Sequence, residues 1–360
     1  MAIEQSPSGG RHTASDGQSS RASQTITSLA TARDEAHEIQ LRYKISTPTM
    51  KPLNSIVTSP DRRQVLEQAC HAMEFRSIPI QANETSFFRY INDNTSIPYR
   101  LMEPVSEPWH KAFLLVQIDL TGAGWPNKIS AQGRKDLYKD RGRIHGLLDR
   151  VIKCLIDIMG SRGDGRGVVV GLDVLRSVKA GVWEGGDVEL LQVPNIGQAK
   201  IETLGKAGVT TIKQLAELEF YHIERILSRN PPFGQNMRQQ LRGFPCLMFG
   251  LELVGTHAPI GDDRNAKDVP RPNNPWKIVR MTLAYENDDV PNWKEKTPWV
   301  TLVLEGEDGR LLWFWRGSVK KLKGSKELIV GLDASQGEKI KVSFACEEIV
   351  GTMIRRDVTL

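Results

Sequence analysis

The spacing of apolar and polar positions divides the chain into a helical first half, a middle broken by Pro and Gly, and a last part with period two. From about residue 41 to 180, apolar residues recur at helical spacing. Arg62–Phe75 places Val65, Leu66, Ala69, Cys70 and Met73 together behind a Ser59-Pro60-Asp61 start signal. The apolar run Phe113–Leu120 ends at Thr121-Gly122-Ala123-Gly124-Trp125-Pro126, a strong helix stop. The longest predicted helix runs from about Lys135 to Met159. Its apolar stripe is Ile144, Leu147, Leu148, Val151, Leu155 and Ile158, with Arg143, Arg150, Lys153 and Asp157 on or near the other side. From Trp276 onward Val279, Met281, Leu283 and Tyr285 alternate with polar or small residues, as do Ile340, Val342, Phe344 and Cys346. Gly306-Glu307-Asp308-Gly309 separates two apolar runs as a hairpin loop does.

This pattern predicts a multidomain α+β chain: a helical bundle, a helix–hairpin–helix-like module and a C-terminal antiparallel β-sandwich. Residues 1–40, rich in Ser, Gly, Gln, Thr and Ala, are expected to be a disordered tail, since they bury too little surface to offset the entropy of ordering. The bundle is placed at 41–185, the hairpin module at 186–253, a Pro- and Gly-rich linker at 254–275, and an immunoglobulin-like sandwich at 276–360.

Within the hairpin module, Pro194, Asn195 and Gly197 form a tight turn anchored by Ile196. A helix is predicted from about Gln198 to a stop at Gly208, with Thr210 and Thr211 capping the next. Backbone N–H groups at such a turn point outward at a helix start, where they can hold a phosphate oxygen, and Lys200 lies in the same first turn. A helical hairpin used only for packing would have the same sequence. Pro231 and Pro232 end one helix and preset the next, and Phe233 is expected to plug the core.

The net charge is +5, but its distribution is uneven: from Lys128 to Lys179 twelve Lys/Arg stand against six Asp. A local basic excess suits a phosphate backbone. A solvated helix face laced with ion pairs one turn apart would also produce it. The four cysteines (Cys70, Cys154, Cys246, Cys346) are scattered, which fits buried small hydrophobes better than a disulfide framework or a zinc site. No apolar stretch approaches the ~20 residues needed to cross a bilayer, so no membrane partner is expected. Ser161-Arg162-Gly163-Asp164-Gly165-Arg166-Gly167 reads as a loop, and lacks the Gly-Lys-Ser/Thr of a phosphate-cradling P-loop. The sandwich carries Trp293, Trp299, Trp313 and Trp315. On a strand, Trp313 and Trp315 share a face with Leu311, which is either core or a protein-docking patch.

The three-part order resembles the Sec-sixty-three homology unit that follows the motor and winged helix in ski-two-like superfamily-two helicases. Tyr43-Lys-Ile-Ser-Thr-Pro-Thr-Met-Lys51 resembles the end of the preceding winged-helix domain, and Val182-Trp-Glu184 the tryptophan step before the hairpin module. Arg229-Asn-Pro-Pro-Phe-Gly234 resembles the meiotic crossover helicases of the Mer-three type more than the spliceosomal or archaeal repair branches. The resemblance covers about residues 41–360. It implies a ratchet-like helix along a translocating single strand, here the helix around Arg143–Met159, with Arg143, Arg150 and Lys153 toward phosphates. Asn195, Gly197 and Lys200 complete the candidate nucleic-acid-binding set.

The resemblance also implies 3′ to 5′ polarity, single-stranded or branched DNA as substrate, meiotic crossover formation and a nuclear location. This sequence departs from those helicases in lacking a Walker-type lysine loop, an acidic metal-holding motif and an arginine finger. No catalytic residue and no cofactor is therefore expected in this chain. ATP and magnesium belong to a missing motor, and the chain alone should be inactive, either as part of a longer helicase or as a binding protein. The alternative is a non-enzymatic interaction module of a helicase-derived or RNA-processing complex, with recombination proteins as candidate partners of the sandwich.

Overall fold

A computed structural model describes residues 29–257 and 275–360. Seven helices form the first body: α1 (Leu29–Tyr43), α2 (Thr47–Leu53), α3 (Arg62–Cys70), α4 (Thr85–Asn94), α5 (Pro108–Leu120), α6 (Ala131–Ser161) and α7 (Gly165–Ala180). Helix α3 starts where the sequence signals it. The Asp61 side chain accepts from Gln64 N, and the Gln64 side chain closes the reciprocal capping bond. It stops at Cys70, and a separate 3-10 turn covers Met73–Ser77. Helix α6 has 31 residues, four more than expected at its N-terminal end, where Ser130 caps it by accepting from Gly133 N. At 1.5 Å per residue it is roughly 46 Å long.

The hairpin module comprises α8 (Gln198–Lys206), α9 (Ile212–Glu217), α10 (Phe220–Leu227) and α11 (Phe233–Leu241). Thr211 caps α9 as anticipated. Among the described residues seven strands follow in two antiparallel sheets: β1 (Leu247–His257), β2 (Trp276–Tyr285), β3 (Trp299–Glu305), β4 (Leu311–Ser318), β5 (Lys326–Leu332), β6 (Lys339–Cys346) and β7 (Ile354–Thr359). Strand orders are β1-β2-β5 and β4-β3-β6-β7. The architecture is thus the mixed α+β arrangement the sequence pattern indicates.

Four expectations are corrected. Residues 29–40 belong to α1, with Ile39 buried against the bundle, while the rest of the expected tail lies outside the described residues. Strand β1 begins at Leu247 and ends at His257, inside what the sequence assigned to the hairpin module and linker. It was hidden because only Phe249 is buried along it, so no clean alternation marks it; linker residues 258–274 lie outside the described residues. Gly165 and Gly167 form the first turn of α7, capped by Asp164, and are not loop. A Cβ on Gly165 would meet the Arg310 carbonyl carbon at 2.9 Å, so this glycine lets α7 approach the β3–β4 turn, while Gly167 leaves room for the capping Asp164 side chain.

The fourth correction concerns the tryptophans. The β3–β4 register slips between Leu304 and Glu305, which changes the parity of β4. Trp313 and Trp315 pack on one core while Leu311 packs on the other, and Trp293 is buried.

Two apolar cores hold the chain. The bundle core takes in Val303 and Leu311 from the second sheet. The other core is continuous from the hairpin module (Ile196, Leu204, Ile212, Leu241) into both sheets (Phe249, Met281, Leu302, Phe344). The hairpin module and the strands therefore share one interior, where the sequence suggested separate units. Cys70 and Cys154 lie in the first core and Cys346 in the second. No described helix is long and apolar enough to cross a membrane.

Candidate nucleic-acid interface

Helix α6 is built asymmetrically along its length. In its first half only Gly133, Leu137 and Ile144 are buried, whereas from Leu148 to Met159 eight of twelve side chains are fully buried. The first half therefore presents Lys135, Lys139 and Arg143, one turn apart, on its open side. Gly142 and Gly146 lie beside them, and a Cβ at either would meet nothing within 4 Å. Lys139 faces Asp136 at 3.5 Å and Arg143 faces Asp140 at 3.4 Å, both exposed pairs of small energetic weight. Lys135 has no partner among the described residues.

This open half is pinned by Asp119 on α5. Its carboxylate accepts from Trp125 Nε1 at 2.7 Å, Arg141 Nε at 2.7 Å and His145 Nε2 at 2.9 Å. Burial by itself would raise the Asp119 pKa, but the three donors outweigh it and hold the carboxyl below its ordinary range. Trp125 in turn stacks on Tyr138 of α6, with ring centroids 4.4 Å apart and planes 20° apart. Tyr138 is 54% exposed, and the Arg134 guanidinium lies 5.9 Å from the Trp125 ring. Cations and an exposed stacked ring thus occupy the same surface.

The second half of α6 meets the strands instead. Lys153 pairs with Asp149 at 2.8 Å and sits 3.7 Å from Glu347, a residue between β6 and β7. Glu347 is buried and also binds Lys179 at 2.6 Å and Arg316. Burial lowers the Lys179 pKa, yet Glu347 and Glu348 outweigh it and hold the ammonium above its ordinary value. Arg150 is partly buried, and its Nε has no hydrogen-bond partner among the described residues. Nearby, Asp157 accepts from Arg42 at 2.6 Å and Tyr43 at 2.9 Å. Asp173 likewise pairs with Arg62, Arg176 and Arg355.

The structure therefore separates Arg143, Arg150 and Lys153. Arg143 stands on the open surface with 55% of its side chain exposed, while Lys153 is tied into the bundle–strand junction with only 20% exposed. Much of the basic excess from Lys128 to Lys179 is answered by carboxylates, several from the far end of the chain. Lys135, Lys139, Tyr138 and Trp125 were not singled out in the sequence, although the four-residue spacing of Lys135, Lys139 and Arg143 was there to be read.

The hairpin turn takes the expected shape. Asn195 adopts φ +64°, Ile196 is buried, and Gly197 stands at the N-cap of α8 with a Cβ position that meets nothing within 4 Å. No side chain at Gly197 stands over the first turn of α8, where the Lys200 amide donates to the Gly197 carbonyl at 2.9 Å. Lys200 does not extend from the turn. Its Nζ donates back to the Asn195 carbonyl and lies 4.8 Å from the Phe233 ring centroid. Burial, and after it the repulsion of Arg229, pull the Lys200 ammonium below the ordinary lysine value. Phe233 is only partly buried, so it does not plug the core as expected. Gly234 does the close work there: its N–H donates to Glu224 Oε1 at 2.9 Å, and a Cβ would collide with the Phe220 carbonyl. The Arg229–Gly234 motif is in this way a device for packing α11 on α10.

The chain is similar to "ATP-dependent DNA helicase MER3" of Saccharomyces cerevisiae, 23% identical over 321 residues, 86% of this chain and 26% of the relative. It is 18% identical over 336 residues to "Probable ATP-dependent DNA helicase HFM1" of Mus musculus, covering 91% of this chain and 22% of that protein. It is also 22% identical over 332 residues to "DExH-box ATP-dependent RNA helicase DExH12" of Arabidopsis thaliana, covering 86% of this chain and 14% of the relative. The chain thus spans about a quarter or less of the length of these relatives. The family described as Sec63 Brl domain matches residues 35–358, nearly all of the described structure, and the chain belongs to that family.

Proposed function

We propose that this chain is the accessory region of an ATP-dependent 3′ to 5′ DNA helicase of meiotic recombination and crossover formation, where it guides single-stranded DNA. The observation that carries the reading is the open basic line Lys135–Lys139–Arg143 beside Gly142 and Gly146, with the Trp125–Tyr138 stack at its edge. A phosphate backbone can approach a helix closely over glycines, and an exposed aromatic face accepts a base of any identity. The start of α8 after Gly197 offers a second backbone contact. Arg143 keeps the role the resemblance assigns it. Lys153 acts on the strand only through the geometry of the junction it helps to hold, and Arg150, half-buried beside it, forms no ion pair among the described residues. The work is passive guidance while a separate ATPase pulls, with ATP and magnesium held outside these residues. DNA over RNA follows the names of the MER3 and HFM1 relatives, since phosphate contacts do not separate the two. A nuclear location follows from the same reading.

The test is fluorescence anisotropy of the full chain with a single-stranded oligonucleotide across a salt series. Each phosphate contact on a single strand contributes about 0.7 to the log–log salt slope. Substituting Lys135, Lys139 and Arg143 together by Gln should therefore flatten the slope by about 2. An unchanged slope and affinity would sink the assignment.

A second reading, docking of recombination proteins, is favoured by the outer side of the first sheet. There Met248 and Ile329 are each at least 41% exposed, and Leu253 and Val254 are exposed at the bulge of the edge strand β1. Of the four sandwich tryptophans only Trp299 is well exposed, with Arg316 lying 5.7 Å from its ring.

A further inference from the structure

The hairpin turn and α11 enclose an open cleft of about 420 Å³ lined by Asn195, Phe233, Asn236, Met237, Gln239 and Gln240. That volume falls within the ~300–1,000 Å³ of small-molecule sites. Met237 is buried and Phe233 half-buried, so the two supply an apolar floor, while Asn236, Gln239 and Gln240 are exposed at the rim. The four carboxamides make no side-chain hydrogen bond among the described residues. Each offers two donors and an acceptor in one plane. Lys200 borders the cleft through its contacts with Asn195 and Phe233, Arg229 is close enough to disfavour its charge, and neither forms an ion pair among the described residues. Two cations left without a carboxylate attract an anion. A second open cavity adjoins the cleft through Gln239 and Gln240, and its rim mixes Glu286, Asp288, Asp289 and Glu295 with Arg242 and Lys294.

We infer that this cleft holds an unpaired nucleobase, its edge read by Asn195, Asn236, Gln239 and Gln240, with the adjoining phosphate on Lys200 and Arg229. A paired carboxamide face is the ordinary partner of a base edge, and unstacked bases of single strands present that edge freely. The inference rests on the nucleic-acid reading above and deepens it. The strand passing the hairpin module is held there by a base as well as by its phosphates. Carboxamides carry no charge, so this contact is insensitive to salt, unlike those of α6.

The experiment compares the full chain with an Asn236→Ala/Gln239→Ala/Gln240→Ala variant. All three positions are exposed on a helix, where alanine favours the fold. The probes are a single-stranded oligonucleotide and a strand of equal length in which every base is replaced by an abasic site. The expected result is a loss of about tenfold for the natural strand, equal binding of the abasic strand by both proteins, and an unchanged salt slope. A 2-aminopurine walked along the oligonucleotide should change its emission at one position, and the change should vanish in the variant. If the variant binds the natural strand as well as the parent does, the base site is overturned and the α6 reading stands. Equal losses on both strands would make the amides backbone contacts and likewise overturn it. If the parent binds neither strand, both readings fall together.

Discussion

The two halves of α6 carry the same kind of charge and use it differently. Before about residue 147 the helix is open on one side, and the cations of that side, Lys135, Lys139 and Arg143, meet only carboxylates one turn away or none at all. Beyond that point Lys153 joins Lys179 and Arg316 around Glu347, a carboxylate 168 residues downstream of Lys179. What a basic stretch can offer a ligand is therefore its charge less the carboxylates that reach it in space. In this chain two of those carboxylates, Glu347 and Glu348, come from the opposite end. The helix serves as a guiding rail in one half and as a clamp on the strands in the other.

The sharpest way to break this comparison is to remove the clamp. Glu347 is buried beneath three cations. Replacing it by Ala leaves Arg316 without its carboxylate and Lys153 and Lys179 with Asp149 and Glu348 alone, and should destabilise the fold by about 3 kcal/mol. Lys139→Ala, in the open half, should stay within about 0.5 kcal/mol of the parent. Urea unfolding of both variants decides the matter. Similar midpoints would mean that the halves do not differ in the way their charges suggest.

A smaller effect is expected where the open half is held to the bundle. Asp119→Asn weakens the hydrogen bonds from Arg141, His145 and Trp125, at a cost of about 2 kcal/mol near neutral pH. Because the folded pKa of Asp119 is depressed, its stabilisation is complete well above the unfolded value of 3.8 and is lost as pH falls through the folded value. The gap between parent and variant should therefore close in acid. A gap that persists to pH 2 would assign the role of Asp119 to packing and not to charge.

Much of the fold was legible because local signals agreed with one another. The Asp61 and Thr211 caps, the Asn195–Gly197 turn and the alternation around Val279–Leu283 each specify an element without help from distant residues. Strand β1 was not legible, since an edge strand with exposed apolar residues has no period to detect. The slip at Leu304–Glu305 likewise moved Leu311 to a different core from Trp313. The interface was half legible for a related reason. Arg143, Arg150 and Lys153 were grouped by helical angle, which α6 respects, but angle does not say where along a helix the neighbouring body begins. Only the strands' docking, and with it Glu347, distinguishes Arg143 from Lys153.

The finest test lies in Gly142 and Gly146, which look like defects in the open half. A glycine inside an exposed helix costs about 0.8–1.0 kcal/mol relative to alanine, and here a Cβ at either site would meet nothing within 4 Å. Gly142→Ala should therefore stabilise the chain by somewhat under about 1 kcal/mol, readable as a small rise in Tm. If the bare backbone is there to let a strand lie close to α6, a larger side chain should separate stability from binding. Gly142→Leu should retain most of the gain in Tm and weaken single-strand affinity, with the salt slope shrinking as phosphates are held away from Lys139 and Arg143. The contrasting control is Gly181→Ala. It sits at the end of α7 with φ +78°, away from the open half of α6, so it should lower stability through backbone strain and leave the salt slope alone. Should Gly142→Leu raise Tm with affinity intact, the strand does not use the glycine face, and the open half of α6 would act through its cations alone.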